Sequence, residues 1–202
     1  QMARLSSRQV AAFGAEALEA LSPASLAALG VASMAGLSPE SVTLLDPGQV
    51  AALKAAQIGG LKAAQVAALT PSQVEALGAT QIGALSATQL ASLGTDALAA
   101  LSETQIGAIG VKAIPGLTAT QVESLSDSQI DALTTKQIGA LTAKQLAAVG
   151  ITALQSFTGD AIAAINVSAL SGLSPAAVAA LSAEQLSAMT AAQVGGLKPD
   201  QI

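Results

Sequence analysis

The chain has 202 residues, a formal net charge of −5 and a pI near 4.5, and only 10% of its residues are charged. Nucleic-acid binding needs a basic face that neutralises phosphates, so this charge balance argues against a nucleic-acid partner. The chain also contains no histidine and no cysteine, which removes the commonest protein ligands of zinc and iron. We therefore expect no nucleic-acid partner, no metal site and no cofactor.

The sequence repeats every eight residues from Gln1 to Ile202 without an insertion or a deletion. We call each repeat an octad and number its slots so that Leu5 occupies slot 1. Slot 1 is large and apolar, slot 6 is an aliphatic residue or methionine, and slot 8 is small except at Arg4 and Leu44. This pattern does not alternate with the period of two that a strand requires. It predicts many similar small layers, each with a buried side and a wet side.

Helix-start signals recur at fixed slots of the octad, as residues 69–76 illustrate. Thr70 in slot 2 belongs to the preferred N-cap set, and Pro71 in slot 3 suits the first helical position. Gln73 in slot 5 follows the cap by three residues, as a capping box requires. Leu69 and Val74 then have the spacing of a hydrophobic staple. The sequence therefore predicts an all-α fold in which each octad forms one short capped helix of about six residues.

Such helices are too short to be stable alone and must be stabilised by stacking, which predicts an α-solenoid. We favour two octads per coil, because the glycines in slot 2 fall an even number of octads apart at several positions. These positions are Gly14, Gly30, Gly78, Gly94 and Gly110. Two octads per coil would stack Asp96 and Lys112 one coil apart and allow them to pair. A triangular coil of three octads is the alternative.

Local departures from the octad predict local structural effects, taken here in chain order. Leu44 fills a slot that is otherwise small, which predicts a bend or an exposed apolar contact. Lys54 and Lys62 replace cap residues in consecutive octads and predict a small basic spot. Pro115 lies in slot 7, where it should end or kink its helix early.

The sequence predicts no catalytic, cofactor-binding or metal-binding residue, and we expect the chain not to be an enzyme. Most serine and threonine hydroxyls lie in slot 2, where capping accounts for them. With no histidine or cysteine, only a lysine could activate a nucleophile. Glu123, Asp127 and Asp131 form an acidic group, which we interpret as a solvated strip. A weak calcium site is the less favoured alternative.

No part of the sequence predicts a membrane span. Polar or glycine residues interrupt every octad, so no run approaches the roughly 18 apolar residues that a spanning helix needs. The first residues, Gln-Met-Ala-Arg, lack the apolar segment of a signal peptide. A secretion signal, if one exists, would lie outside this chain.

Phrases such as LTATQVESL (117–125), LTTKQIGAL (133–141) and LTAKQLAAV (141–149) resemble a known class of repeat. They are similar to the Leu-Thr-x-x-Gln-Ile-x-Ala repeats of very large bacterial secreted or surface proteins, which are often loosely labelled adhesins or haem-utilisation proteins. The resemblance covers essentially the whole chain and implies an extracellular or cell-surface stalk without catalytic residues. Haem binding is not expected, because histidine, cysteine and tyrosine are absent and all three methionines occupy core slots.

The leading functional hypothesis is a structural, adhesin-like extracellular repeat rod that acts as a stalk, a spacer or a filament. We expect residues 1–202 to form a single uncapped array, since Gln1 begins in slot 5 and Ile202 ends in slot 6. Uncapped solenoid ends predict either a longer parent polypeptide or end-to-end self-association. The alternative hypothesis is a solenoid scaffold that binds a protein or a glycan.

Overall fold

The computed structural model describes all 202 residues and contains only short helices and turns. No strand is present, which confirms the predicted all-α fold of short helical repeats. All peptide bonds are trans, and no residue has a positive φ. The chain forms two compact units, residues 1–116 and residues 117–202.

The first unit contains thirteen α-helices and two 3₁₀-helices, with one helical segment in each octad. The 3₁₀-helices are Met2–Arg4 and Ile114–Gly116. The α-helices are α1 (Ser7–Val10), α2 (Ala15–Glu19), α3 (Pro23–Ala27), α4 (Val31–Met34), α5 (Pro39–Thr43), α6 (Pro47–Ala51), α7 (Ala55–Gly59), α8 (Ala63–Ala67), α9 (Pro71–Glu75), α10 (Ala79–Ile82), α11 (Ala87–Ser92), α12 (Thr95–Ala99) and α13 (Glu103–Ala108).

The second unit continues the same pattern with nine α-helices and two 3₁₀-helices. The 3₁₀-helices are Val167–Gly172 and Pro199–Gln201. The α-helices are α14 (Ala119–Glu123), α15 (Asp127–Asp131), α16 (Thr135–Ile138), α17 (Ala143–Ala148), α18 (Ile151–Ser156), α19 (Gly159–Ala164), α20 (Pro175–Ala179), α21 (Ala183–Ala188) and α22 (Ala191–Gly195).

Each α-helix begins in slot 3, where the octad pattern predicts it. In the octad of α9, Thr70 is the N-cap in extended conformation, and its hydroxyl oxygen accepts from the backbone N–H of Gln73 at 3.3 Å. The backbone N–H of Thr70 donates in return to Oε1 of Gln73 at 2.9 Å. All six prolines in slot 3 lie at helix starts. The predicted caps, prolines and capping boxes are therefore confirmed.

The apolar slots form the core of both units. Slot 6 side chains such as Val74 and Ile162 are almost completely buried, and most slot 1 leucines are nearly as inaccessible. Slot 6 becomes exposed only in the last three octads, at Leu186, Val194 and Ile202. Because the helices have four to six residues, most of their stability must come from this burial rather than from helix propensity.

The prediction of two octads per coil is wrong, because the close contacts join helices that lie three octads apart. In the first unit α9 packs on α6 and α12, and in the second unit α16 packs on α19. The 24-residue spacing matches the three-octad alternative. Three slot 6 side chains per layer can surround one another, whereas two leave flanks uncovered, and the even spacing of the slot 2 glycines does not reflect the stacking.

The predicted pairing of Asp96 with Lys112 fails for the same reason. Helix α12, which carries Asp96, packs on α9. The 3₁₀-helix that follows Lys112 packs on α11 instead. The two side chains therefore belong to different stacks.

The departures from the octad have the local effects that the sequence predicts. The octad of Pro115 forms a turn followed by the 3₁₀-helix Ile114–Gly116 and contains no α-helix. Leu44 lies at the C-terminal end of α5 and is 40% exposed, so it presents an apolar side chain at the surface. Proline cannot donate a helical hydrogen bond, which fits the early end at Pro115, although Val167–Gly172 forms a 3₁₀-helix without a proline.

Slot 8 is small because the coils approach closely there. A Cβ at Gly36 would overlap the backbone of Ser7, which lies 29 residues earlier. The same overlap would occur at Gly116 and Gly172, again against residues 29 positions earlier. A neighbouring backbone therefore leaves no room for a side chain at these three positions.

Candidate functional site

The most conspicuous polar feature of the structure is a set of buried glutamines in slot 5. Fourteen of them are at most 6% exposed. A buried amide is costly unless its donors and acceptor are all satisfied. The sequence predicts only one hydrogen bond of this amide, the one to the N-cap residue in the capping box. That bond alone does not explain why the glutamine side chain is buried.

Gln73 shows what the buried amide does. Its Oε1 accepts from the N–H of Thr70 and caps α9, as predicted. Its Nε2 donates to the carbonyl oxygen of Val42 at 2.8 Å and to that of Leu45 at 2.6 Å. These carbonyls lie 31 and 28 residues earlier, in the preceding coil. One amide therefore uses both of its N–H groups and its oxygen to join two coils.

The same arrangement recurs along both units, and we call it the glutamine clamp. Nε2 donates to carbonyls 31 and 28 residues earlier at 2.6–3.2 Å. Members with both bonds are Gln49, Gln57, Gln65, Gln73, Gln81, Gln89, Gln105, Gln185, Gln193 and Gln201. The slot 1 carbonyl thereby gains a donor that the short helix cannot supply, and the slot 6 carbonyl gains a second donor beside the N–H of the slot 1 residue.

The clamp also operates where slot 2 has no capping side chain. Lys54 and Lys62 still donate their backbone N–H groups to the glutamine Oε1, at 2.8 and 2.7 Å. The ammonium group of Lys62 donates to the carbonyl oxygen of Ala35 at 3.0 Å. At least one lysine of the predicted basic spot, Lys62, therefore forms a hydrogen bond to another coil.

Several octads carry alanine or serine in slot 5 and lack the clamp. Four consecutive octads of the second unit have only alanine there, at Ala153, Ala161, Ala169 and Ala177, all of them buried. In the first unit, the hydroxyl of Ser33 donates to the carbonyl oxygen of Leu5, 28 residues earlier. Ser33 thus reproduces one of the two bonds that a glutamine would make.

Two cavities lie beside octads in which alanine replaces the clamp glutamine. A cavity of about 470 Å³ in the first unit is lined by Leu85, Gly110 and Ala113, among others. A cavity of about 300 Å³ in the second unit is lined by Leu133, Thr158 and Ala161, among others. These residues occupy slots 1, 2 and 5 in both cases, so the two cavities share this part of their lining.

The predicted acidic strip does not form a metal cluster. No group of three or more acidic, histidine or cysteine side chains is placed to hold an ion. Asp131 accepts a hydrogen bond from the hydroxyl of Ser156 at the rim of the second cavity.

In the first unit, the backbone N–H of Glu40 and the hydroxyl of Ser38 lower the pKa of the exposed Glu40 carboxyl.

None of the helices has the length and apolar character needed to cross a bilayer.

A family model described as the ALTTAQ repeat matches residues 42–79, 74–111, 114–143 and 162–199. The six letters of that description correspond to slots 8, 1, 2, 3, 4 and 5, and residues 132–137 read ALTTKQ. The glutamine of the description therefore occupies the slot of the clamp. No curated protein matches the chain.

Proposed function

The chain belongs to the ALTTAQ repeat family, and on that premise we propose that it is a structural segment of an extracellular repeat protein. In this proposal it acts as an adhesin-like stalk, spacer or filament element at a bacterial cell surface. The proposal assigns no catalytic role to any residue. The resemblance of residues 117–149 to repeats of large secreted proteins supports the location, and the matched family supports the repeat character.

The glutamine clamp is the observation that carries a mechanical role. Each clamp adds buried hydrogen bonds between one coil and the preceding coil, beyond the apolar contacts that any solenoid has. In a repeat array each layer contacts only its neighbours, so axial strength depends on these nearest-neighbour bonds. Buried bonds to main-chain carbonyls are also protected from competing water, which favours a segment that must resist extension.

The proposed partners are suggested by the way in which the layers stack. An array of this type extends when further octads stack on it, and these are supplied either by the parent polypeptide or by a second copy joined end to end. In either case, the slot 6 side chains of the added layer would pack against Leu186 and Val194. Both side chains are exposed in this chain.

Single-molecule extension of the chain between two handles tests the mechanical role. We expect stepwise lengthening in units of one coil, roughly 80 Å for 24 residues, because layers unfold from their neighbours one at a time. A variant with Gln57, Gln65 and Gln73 changed to alanine should open at a clearly lower force. Extension without measurable resistance, or equal forces for both proteins, would contradict the role. Detection of the native protein only inside its source cells would contradict the location.

A scaffold that binds a protein or a glycan is the second candidate, because the two cavities favour it. At both cavities an octad lacks the clamp glutamine, and the cavity leaves room for a ligand. Specific capture of a peptide or glycan that is lost on filling either cavity would favour this function over a purely mechanical one.

A further inference from the structure

The two cavities are lined by residues of slots 1, 2 and 5, which also flank the glutamine amide in the clamped octads. In the clamp of Gln73, the amide lies between the slot 1 carbonyl of Leu45 in the earlier coil and the slot 2 N–H of Thr70. Ala161 stands 28 residues after Leu133, and Ala113 stands 28 residues after Leu85. Both pairs therefore have the register of a clamp, but alanine provides no amide.

Two of the main-chain groups that a clamp would use, the slot 1 carbonyl and the slot 2 N–H, are left without protein partners at both cavities. No protein group donates to the carbonyl oxygen of Leu85 or of Leu133. The backbone N–H groups of Gly110 and Thr158 have no protein acceptor. Each cavity thus combines an acceptor and a donor that, in the clamped octads, are occupied by a single carboxamide. One ligand that both accepts and donates can therefore bond to both groups.

We propose that each of the two cavities is a binding site for a primary carboxamide group. The ligand's C=O would accept from the N–H of Gly110 or Thr158, and its NH₂ would donate to the carbonyl of Leu85 or Leu133. Ten glutamines of this chain place the same chemical group in the equivalent position, which is the independent observation that identifies the ligand class.

The chemistry of the cavities selects against related groups. A carboxylate has no N–H to offer the slot 1 carbonyl and would bring two negatively polarised oxygens together. An ammonium group cannot accept from the slot 2 N–H. Volumes of about 300 and 470 Å³ exceed what the amide alone needs, which leaves room for the rest of the ligand. The side chain of asparagine or glutamine in a peptide and a free small amide both fit this description.

The rims of the two cavities differ and predict different preferences for the attached part of the ligand. Asp131 lines the second cavity, and Lys112 lines the first. A cationic neighbour of the amide should therefore favour the second site, and an anionic neighbour should favour the first.

Titration with acetamide, followed by backbone amide resonances of the full chain, tests the proposal. We expect saturable shifts at Gly110 and Thr158, with no comparable shift at Thr70, whose N–H already donates to a clamp. N,N-dimethylacetamide keeps the carbonyl but lacks the donor, so it should bind at least about tenfold more weakly. Shifts that grow linearly without saturation, or that are equal at Thr70, would overturn the proposal.

Filling each cavity from within provides the matched controls. Ala113→Gln should abolish the acetamide response at Gly110 and leave that at Thr158 unchanged, whereas Ala161→Gln should do the reverse. Each variant is the other's folding control, because a chain that failed to fold would lose both responses. Retention of the response at the filled site would contradict binding in the cavity.

Two short peptides distinguish the natural sources of the amide. One carries a central glutamine, and the other carries glutamate at the same place. Saturable shifts with the glutamine peptide alone would assign the site to a polypeptide side chain, and acetamide binding without peptide binding would assign it to a free small amide. Equal binding of both peptides would contradict recognition of the carboxamide.

Discussion

Residues 45–92 of the first unit and residues 149–180 of the second unit solve the same stacking problem in different ways. The first region carries six consecutive clamps, from Gln49 to Gln89. The second region has only alanine in slot 5. Slot 6 side chains are nevertheless buried in both regions, as Val74 and Leu154 show. Carbonyls of the second region still accept from Gln185, Gln193 and Gln201 of the following coil. The comparison therefore shows that slot 6 burial does not require a glutamine in the same octad, whereas each clamp adds directional bonds to the preceding coil.

The second region uses other contacts between coils. Gln155, which is in slot 7, donates through Nε2 to the carbonyl oxygen of Ala180 at 3.1 Å. The hydroxyl of Ser156 donates to Asp131. Gly172 allows the 3₁₀-helix Val167–Gly172 to pack directly on α17. Because the first two contacts lie at exposed residues, they compete with water and should contribute less than a buried clamp.

The largest expected effect is that of Gln73→Glu, which places a carboxyl group against the carbonyls of Val42 and Leu45. Removal of both N–H donors and burial of a charge should lower the free energy of unfolding by about 4 kcal/mol at pH 7. Burial raises the pKa of the introduced carboxyl above its unfolded value of about 4.3, so the loss should diminish as the pH falls towards 4. Urea denaturation at several pH values measures this. A loss independent of pH would contradict burial of the amide.

Removing one clamp without adding charge should have a smaller effect. Gln65→Ala leaves the carbonyl of Leu37 without a donor and removes one of the two donors to the carbonyl of Met34, which also accepts from the N–H of Leu37. The change should lower the free energy of unfolding by about 3 kcal/mol. Gln9 is the matched control, because it accepts from the N–H of Ser6 but is exposed and makes no bond to another coil. Gln9→Ala should cost about 1 kcal/mol. Equal losses in urea denaturation would show that only the capping bond matters.

Close approach of coils can be tested in the second unit. Gly172→Ala should lower the free energy of unfolding by about 2 kcal/mol, because the new Cβ would overlap the backbone of Ala143. Gly195 lies in α22, and a Cβ added there would meet no atom within 4 Å, so Gly195→Ala should be neutral or slightly stabilising. Thermal denaturation followed by circular dichroism compares them. Equal melting temperatures would refute the steric limit.

Restoring a clamp in the alanine region should have the smallest effect, and a favourable one. Ala161→Gln places an amide in the cavity beside Leu133 and Thr158 and should raise the free energy of unfolding by about 1 kcal/mol. Ala176→Gln, on the exposed surface of α20, is the control and should change stability by less than about 0.5 kcal/mol. Destabilisation by Ala161→Gln in urea denaturation would indicate that the cavity does not have clamp geometry.

The sequence alone determined the local structure of each octad. Thr70, Pro71 and Gln73 lie within four residues of one another, and their capping signals depend only on short-range geometry. The apolar slots 1 and 6 likewise predicted the core, because their burial follows from the eight-residue period. The family description adds the repeat character, since its letters match the same slots.

Only the tertiary structure decided how many octads form a coil and what the glutamine amide contacts. A uniform repeat buries the same slots whether a coil contains two octads or three. The sequence pattern therefore cannot show how many octads form one coil. The bonds from Gln73 to Val42 and Leu45 span 31 and 28 residues and exist only in the three-octad register. The cavities at Ala113 and Ala161 depend on that register too, because their linings combine slot 5 alanines with the slot 1 residues Leu85 and Leu133, 28 residues earlier.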